Sequence, residues 1–186
     1  MTQIHYKSAF ADIPENNLDT WLNLNRARLI GSAIFTKQDS ITSKLVRWGE
    51  THLFAKCDEP SCFVPSHTGS IIEHEGDLYI FDMKPLRASV QPLKNYLLNT
   101  QEDYCLVIRD FALDGHMFSL NLEYHIGDFY PYFSALRSVF NKRKTKNARH
   151  CSEHHLAELQ KQGLFTEVNP EITPDELFHL LCKGAK

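Results

Sequence analysis

The spacing of hydrophobic positions along this chain changes several times, and each change marks an element. Leu18, Trp21 and Leu22, with Leu24 at the margin, recur at helical spacing behind Pro14 and predict a helix over 17–28. The apolar run 29–36, broken only by Gly31 and Ser32, has the length of a strand. Behind Asp39 and Ser40, which supply an N-cap, Ile41, Leu45, Trp48 and His52 fall on one helical stripe. The runs 66–73 and 78–84 flank the turn-forming His74-Glu75-Gly76-Asp77 and read as a β-hairpin. A short helix over 93–98 precedes a strand over 104–111, in which Cys105, Val107 and Arg109 alternate against Leu106 and Ile108. The segment 116–126 fits both periods, and Asp114 as cap with Gly127 as stop favours helix. Phe133, Leu136, Val139 and Phe140 mark a further helical piece. The stretch 151–163 has helix-forming composition and ends on Gly163, and Thr173, Pro174 and Glu176 form an N-cap, a first-turn proline and a capping-box acid for a last helix through Leu181. Strands in the middle with helices at both ends make the expected class α+β.

Composition narrows this picture. With 42% hydrophobic and 23% charged residues, 186 residues suffice for one domain over 1–186 with a sizeable core, which excludes a disordered, collagen-like or coiled-coil chain. No apolar run approaches the ~20 residues of a membrane span, and residues 1–7 lack the apolar region of a secretory signal. The expectation is a cytoplasmic protein with no transmembrane segment, whose five cysteines are thiols. A net charge of −3 removes the global basic field that a nucleic-acid partner would require. One local exception is the stretch 129–152, which has no acidic residue and carries Arg137, Lys142, Arg143, Lys144, Lys146 and Arg149. Cys57 and Cys62 are five apart with no second pair of ligands evident, so they read as incidental loop cysteines, and no metal or cofactor is expected.

Thiol-dependent hydrolysis needs a thiolate, a base that takes and returns a proton, and a group that orients the base. Cys151 opens a predicted helix, where backbone N–H groups and the positive dipole end favour a thiolate and serve an oxyanion, and Lys146 and Arg149 act in the same sense. The plainer alternative is a small buried residue. For the base, an even-numbered hairpin turn centred on Glu75-Gly76 sets Gly69 opposite Asp82, Ile71 opposite Ile80 and His67 opposite Lys84. His67 and Asp82 then become diagonal neighbours on one face, with Gly69 leaving room between them. The rest of that face, Ile71, Leu78 and Ile80, is an apolar platform for a helix carrying Cys151. A surface histidine and an unrelated strand-end acid remain the alternative.

These residues carry a resemblance. Pro65-Ser66-His67-Thr68-Gly69-Ser70-Ile71-Ile72 resembles the Ser-His-Val-Gly-Ile strand of the papain-like NlpC-type hydrolases. Cys151-Ser152-Glu153, placed after the histidine, resembles the Cys-Ser-Glu-Leu motif of their circularly permuted, YiiX-like branch. Residues 30–35 are similar to the family's early Gly-Asp strand, 78–82 to the strand bearing its third polar residue, and 172–177 to its closing Thr-Pro-x-Asp-Leu segment. The resemblance implies a circularly permuted papain-like fold, with an antiparallel sheet packed on a nucleophile-bearing helix. It also implies Cys151 as nucleophile, His67 as general base and acid, and Asp82 as the orienting group. Three positions depart from the pattern: Ser32 stands for Asp, Asp82 for the commoner Glu, and His154-His155 for aliphatic residues. His155, one turn from Cys151 on the same side, reads either as an auxiliary site residue or as a tolerated polar substitution.

The implied activity is cleavage of amide or ester bonds in a small-molecule, peptide, cell-wall or acyl-lipid substrate through an acyl-enzyme. A non-catalytic scaffold of the same fold and an acyltransferase are the rival readings. Lys142, Arg143, Lys144, Lys146 and Arg149 lead into the nucleophile and are candidates to bind an anionic substrate, against the alternative of a solvated loop.

Overall fold

In the computed structural model the described residues are 2–11, 13–37, 63–83, 86–130 and 151–183. The expected helix over 41–52, the cysteines Cys57 and Cys62, the helical piece over 133–140 and the basic residues from Lys142 to Arg149 lie outside them. The strands are β1 (Gln3–Tyr6), β2 (Ala33–Lys37), β3 (His67–His74), β4 (Asp77–Met83), β5 (Leu86–Pro92), β6 (Asp103–Ile108) and the two-residue β7 (Phe129–Tyr130). The α-helices are α1 (Glu15–Leu29), α2 (Leu93–Asn99), α3 (Gly115–Glu123), α4 (Cys151–Lys161) and α5 (Pro174–Lys183). All pairings are antiparallel, in the order β1-β6-β2-β3-β4-β5, and β7 continues the sheet on β5. The class is α+β.

Helices cover the sheet on both faces, so its central strands are apolar on both sides. The two-residue period separates the two cores cleanly. Ile34, Ile71, Leu78, Ile80 and Leu106 pack under Leu18, Leu22 and Leu29 of α1 and Leu93 and Leu97 of α2. Ala33, Phe35, Ile72, Phe81, Met83, Cys105 and Val107 meet Phe118 and Leu122 of α3, Leu156 and Leu159 of α4, and Leu177, Phe178 and Leu181 of α5.

This division corrects one expectation. The platform Ile71, Leu78 and Ile80 lies beneath α1 and α2, and α4 packs on the opposite face, against Ile72 and Phe81. Both faces of the hairpin are apolar, so the hydrophobic pattern by itself could not choose between them. Smaller differences have equally local causes. Leu24 is 81% exposed, because a fifteen-residue helix turns it away from the stripe of Leu18 and Leu22. The helix runs on to Leu29, and β2 begins only at Ala33, after a turn through Gly31 at φ +80°, where a Cβ would also meet Leu113 at 2.0 Å. Strand β6 stops at Ile108; beyond it the Arg109 side chain turns back to donate to the Ala27 and Ile30 carbonyls at the end of α1. Helix α3 ends at Glu123, before the half-exposed Ile126.

Two caps form as the sequence requires. The Asp114 carboxylate accepts from the Met117 N–H at 3.0 Å. In the capping box of α5, the Thr173 hydroxyl accepts from the Glu176 N–H (3.2 Å) and the Glu176 carboxylate from the Thr173 N–H (3.1 Å). Among the described residues no helix is long and apolar enough to cross a membrane.

Candidate active site

The register of the β3–β4 hairpin decides whether His67 and Asp82 can meet. Its turn has two central residues, Glu75 (φ 50°) and Gly76 (φ 82°), and positive φ at both is the geometry that suits the right-handed twist of a tight hairpin. Glycine takes that conformation freely, whereas Glu75 is held in it at some cost. An even turn gives the even register: Gly69 faces Asp82, Ile71 faces Ile80 and Glu73 faces Leu78. Gly69 is needed for its size, since a Cβ there would come within 2.6 Å of Ile80 Cγ2.

His67 is the first residue of β3, and the chain is anchored just before it by the Ser66 N–H, which donates to the Thr36 carbonyl at 2.9 Å. His67 Nε2 donates to the Asp82 carboxylate, and only 14% and 8% of the two side chains is exposed. This contact fixes the tautomer, leaving Nδ1 as the nitrogen available to a nucleophile. The Cys151 thiol is close enough to the same imidazole to act on its charge. The structure thus places Cys151, His67 and Asp82 near one another, although α4 packs on the face opposite to the one that the register gives His67 and Asp82.

The electrostatics of the imidazole follow from its two neighbours. Burial alone pushes His67 down; the charges of Cys151 and Asp82, and the hydrogen bonds to both, outweigh it and hold the imidazole well above its ordinary range. Of the other described thiols, burial pushes Cys105 up to about 12, with Cys182 adding to it, and burial pushes Cys182 up to about 11.

Helix α4 is fastened close to Cys151. The Ser152 hydroxyl donates to the Ile172 carbonyl at 2.5 Å, tying α4 to the segment ahead of α5. One turn beyond Cys151, the fully buried His155 shares a 2.8 Å hydrogen bond through Nδ1 with Ser70 Oγ of β3, and its ring stands edge-on to Phe118. The position of His155 relative to Cys151 was readable from helical spacing; its partner Ser70 was not, because only the packing of α4 on β3 brings them together. Ser32, which stands where the resembling family has Asp, uses its hydroxyl structurally: it donates to the Arg28 carbonyl (2.7 Å) and accepts from the Arg109 N–H (3.0 Å). Among the described residues no cluster of His, Cys, Asp and Glu is arranged to hold a metal.

Burial pushes His155 down to about 3, which gives a stability prediction. In the unfolded chain a histidine titrates near ~6.5. Between that value and about 3 the unfolded state takes up a proton that the folded state refuses, so stability due to the neutral imidazole is fully present above pH 6.5 and is lost as the pH falls. One such group contributes a slope of up to about 1.4 kcal/mol per pH unit. Urea denaturation between pH 7 and pH 4 should therefore show a shallower acid decline for His155→Leu than for the wild-type protein. Parallel declines would mean that His155 accepts its proton in the folded state.

The chain matches no protein-family model, and a search of curated proteins finds no match.

Proposed function

We propose that this protein is a cysteine-dependent hydrolase of amide or ester bonds, with Cys151 as nucleophile, His67 as general base and acid, and Asp82 as the group that orients His67. The observation that carries the reading is the buried imidazole of His67, which is hydrogen-bonded to Asp82 and lies close enough to Cys151 for the two to interact. A buried cysteine of structural purpose has no need of such a partner, and a surface histidine has no need of a buried acid behind it. The permuted papain-like arrangement belongs to the same proposal: the hairpin bearing base and acid precedes the nucleophile helix in sequence, and the capped Thr173–Glu176 segment follows it.

The steps balance on these side chains. The thiolate attacks the substrate carbonyl carbon, forming a C–S bond and moving the carbonyl electron pair onto oxygen, where the Cys151 N–H supports the oxyanion. Collapse breaks the bond to the leaving nitrogen or oxygen, which takes the proton carried by His67. Water then gives a proton to His67 Nδ1 as its oxygen joins the acyl carbon. The C–S bond breaks, a carboxylic acid departs, and the thiolate and imidazolium are restored. Asp82 holds the proton on Nε2 throughout, so that Nδ1 exchanges protons with sulfur, leaving group and water.

The test is a panel of aryl esters, acyl-amino-acid amides and cell-wall peptides, assayed with wild-type protein and Cys151→Ala. Turnover of at least one class, lost in the variant, supports the reading, and a Cys151-linked acyl adduct seen by mass spectrometry after acid quenching would identify the intermediate. Turnover that survives in Cys151→Ala would refute it.

A further inference from the structure

A cysteine and a histidine on different elements exchange a proton efficiently only if those elements keep a fixed relation, and misplacement by ~1 Å can cost about a hundredfold in rate. Here the base lies on β3 and the nucleophile on α4. The apolar packing between the two elements, in the cluster that holds Ile72, Leu156 and Leu159, is non-directional and tolerates small slides. One contact between the two elements is different in kind. Ser70 Oγ, three residues along β3 from His67, and His155 Nδ1, one helical turn from Cys151, are 2.8 Å apart, with Ser70 2% exposed and His155 fully buried. A buried hydrogen bond has a direction and a length, and it fixes α4 along the strand as apolar packing does not.

We propose that the Ser70–His155 hydrogen bond is a positioning device that holds the Cys151 sulfur in register with the His67 ring. The proposal rests on the reading of Cys151 and His67 given above and adds two residues to it. Neither side chain is assigned contact with substrate; both act through the placement of α4. The arrangement carries a stability cost, because His155 Nε2 is buried with no hydrogen-bond partner among the described residues. Ionisation does not disturb the bond across the working pH range, since burial keeps the imidazole neutral. Of the charged groups near it on α4, Glu158 is itself buried, and its carboxylate is paired with Lys161 Nζ at 2.6 Å. Ser152 fastens the same helix to Ile172, which lies ahead of α5 and not on the strand carrying the base.

The experiment measures two quantities on the full chain: the second-order rate of Cys151 alkylation by iodoacetamide at pH 6.5, and the thermal midpoint. Ser70→Ala and His155→Leu should each slow alkylation by about tenfold or more. The double variant should be no slower than either single one, because all three lack the same bond. It should nevertheless melt higher than Ser70→Ala and His155→Leu, since no unpaired polar group is left buried. His155→Asn, which places an amide near the Nδ1 position but leaves a gap behind it, should recover most of the rate without recovering the melting temperature. Reactivity would then follow the hydrogen bond while stability follows packing. Rates that fall and rise with the thermal midpoint across the set, or an unchanged rate in Ser70→Ala, would overturn the positioning role. His67→Ala serves as the control for the underlying reading: if it too leaves alkylation unchanged, the Cys151–His67 proposal itself fails. If only His67→Ala slows it, the site stands and the Ser70–His155 role falls.

Discussion

Replacing Cys151 by alanine is expected to reduce turnover of any ester or amide this protein cleaves by at least ~10⁴-fold, as removal of the nucleophile does in acyl-transfer enzymes that pass through a covalent intermediate. Without sulfur no C–S bond and hence no acyl-enzyme forms. Folding should survive the change. Cys151 is a small side chain at the edge of the apolar cluster beneath α4, and loss of its sulfur removes far less buried surface than loss of a core leucine would. A thermal midpoint within a few degrees of wild type, together with lost turnover, is the expected pair of results. Lost turnover accompanied by a collapse of the fold would leave Cys151 a packing residue.

His67→Ala should cost ~10²–10⁴-fold in kcat/KM, the usual contribution of a positioned acid–base group. The loss should change character with the leaving group. An amide needs its nitrogen protonated as the C–N bond breaks, whereas an activated aryl ester departs without that help. Aryl esters should therefore retain more activity in His67→Ala than amides do. A variant equally impaired toward both would indicate that His67 supports binding or structure and not proton transfer. The pH dependence of stability offers an independent reading of the same residue. The folded imidazole is held above its unfolded value, so the stability it contributes is fully present below pH ~6.5 and is lost as the pH rises through its raised folded value. His67→Ala should flatten this alkaline decline, opposite in sign to the acid effect expected of His155.

Much of the site was legible in the chain because its geometry depends on local chemistry. A two-residue turn at Glu75-Gly76 is dictated by glycine's access to positive φ, and once the turn is even the strand period places His67 and Asp82 on one side. The helix over 151–161 and the capping box at Thr173 depend likewise on near neighbours in sequence. What the sequence could not decide was which face of the hairpin α4 would occupy. Ile71 and Ile80 on one side, and Ile72 and Phe81 on the other, are equally suited to meet a helix. The choice is settled by the joint demand of α1 and α2 for the first face and of α3, α4 and α5 for the second. The same long-range packing pairs Ser70 with His155 across 85 positions of sequence, a relation that no local pattern announces.

The most direct test of the central claim is competitive alkylation of the intact chain. Under limiting iodoacetamide at pH 6, an ordinary thiol with a pKa of ~8.5 is almost wholly protonated and reacts slowly. On the proposed reading the imidazolium of His67 supports attack by Cys151, while burial makes Cys105 and Cys182 poorer thiolates than a free cysteine. Peptide mass spectrometry should find Cys151 modified before Cys57, Cys62, Cys105 and Cys182, and should find that preference lost in His67→Ala. Modification of Cys151 no faster than that of the other thiols, or a preference that persists without His67, would contradict the account.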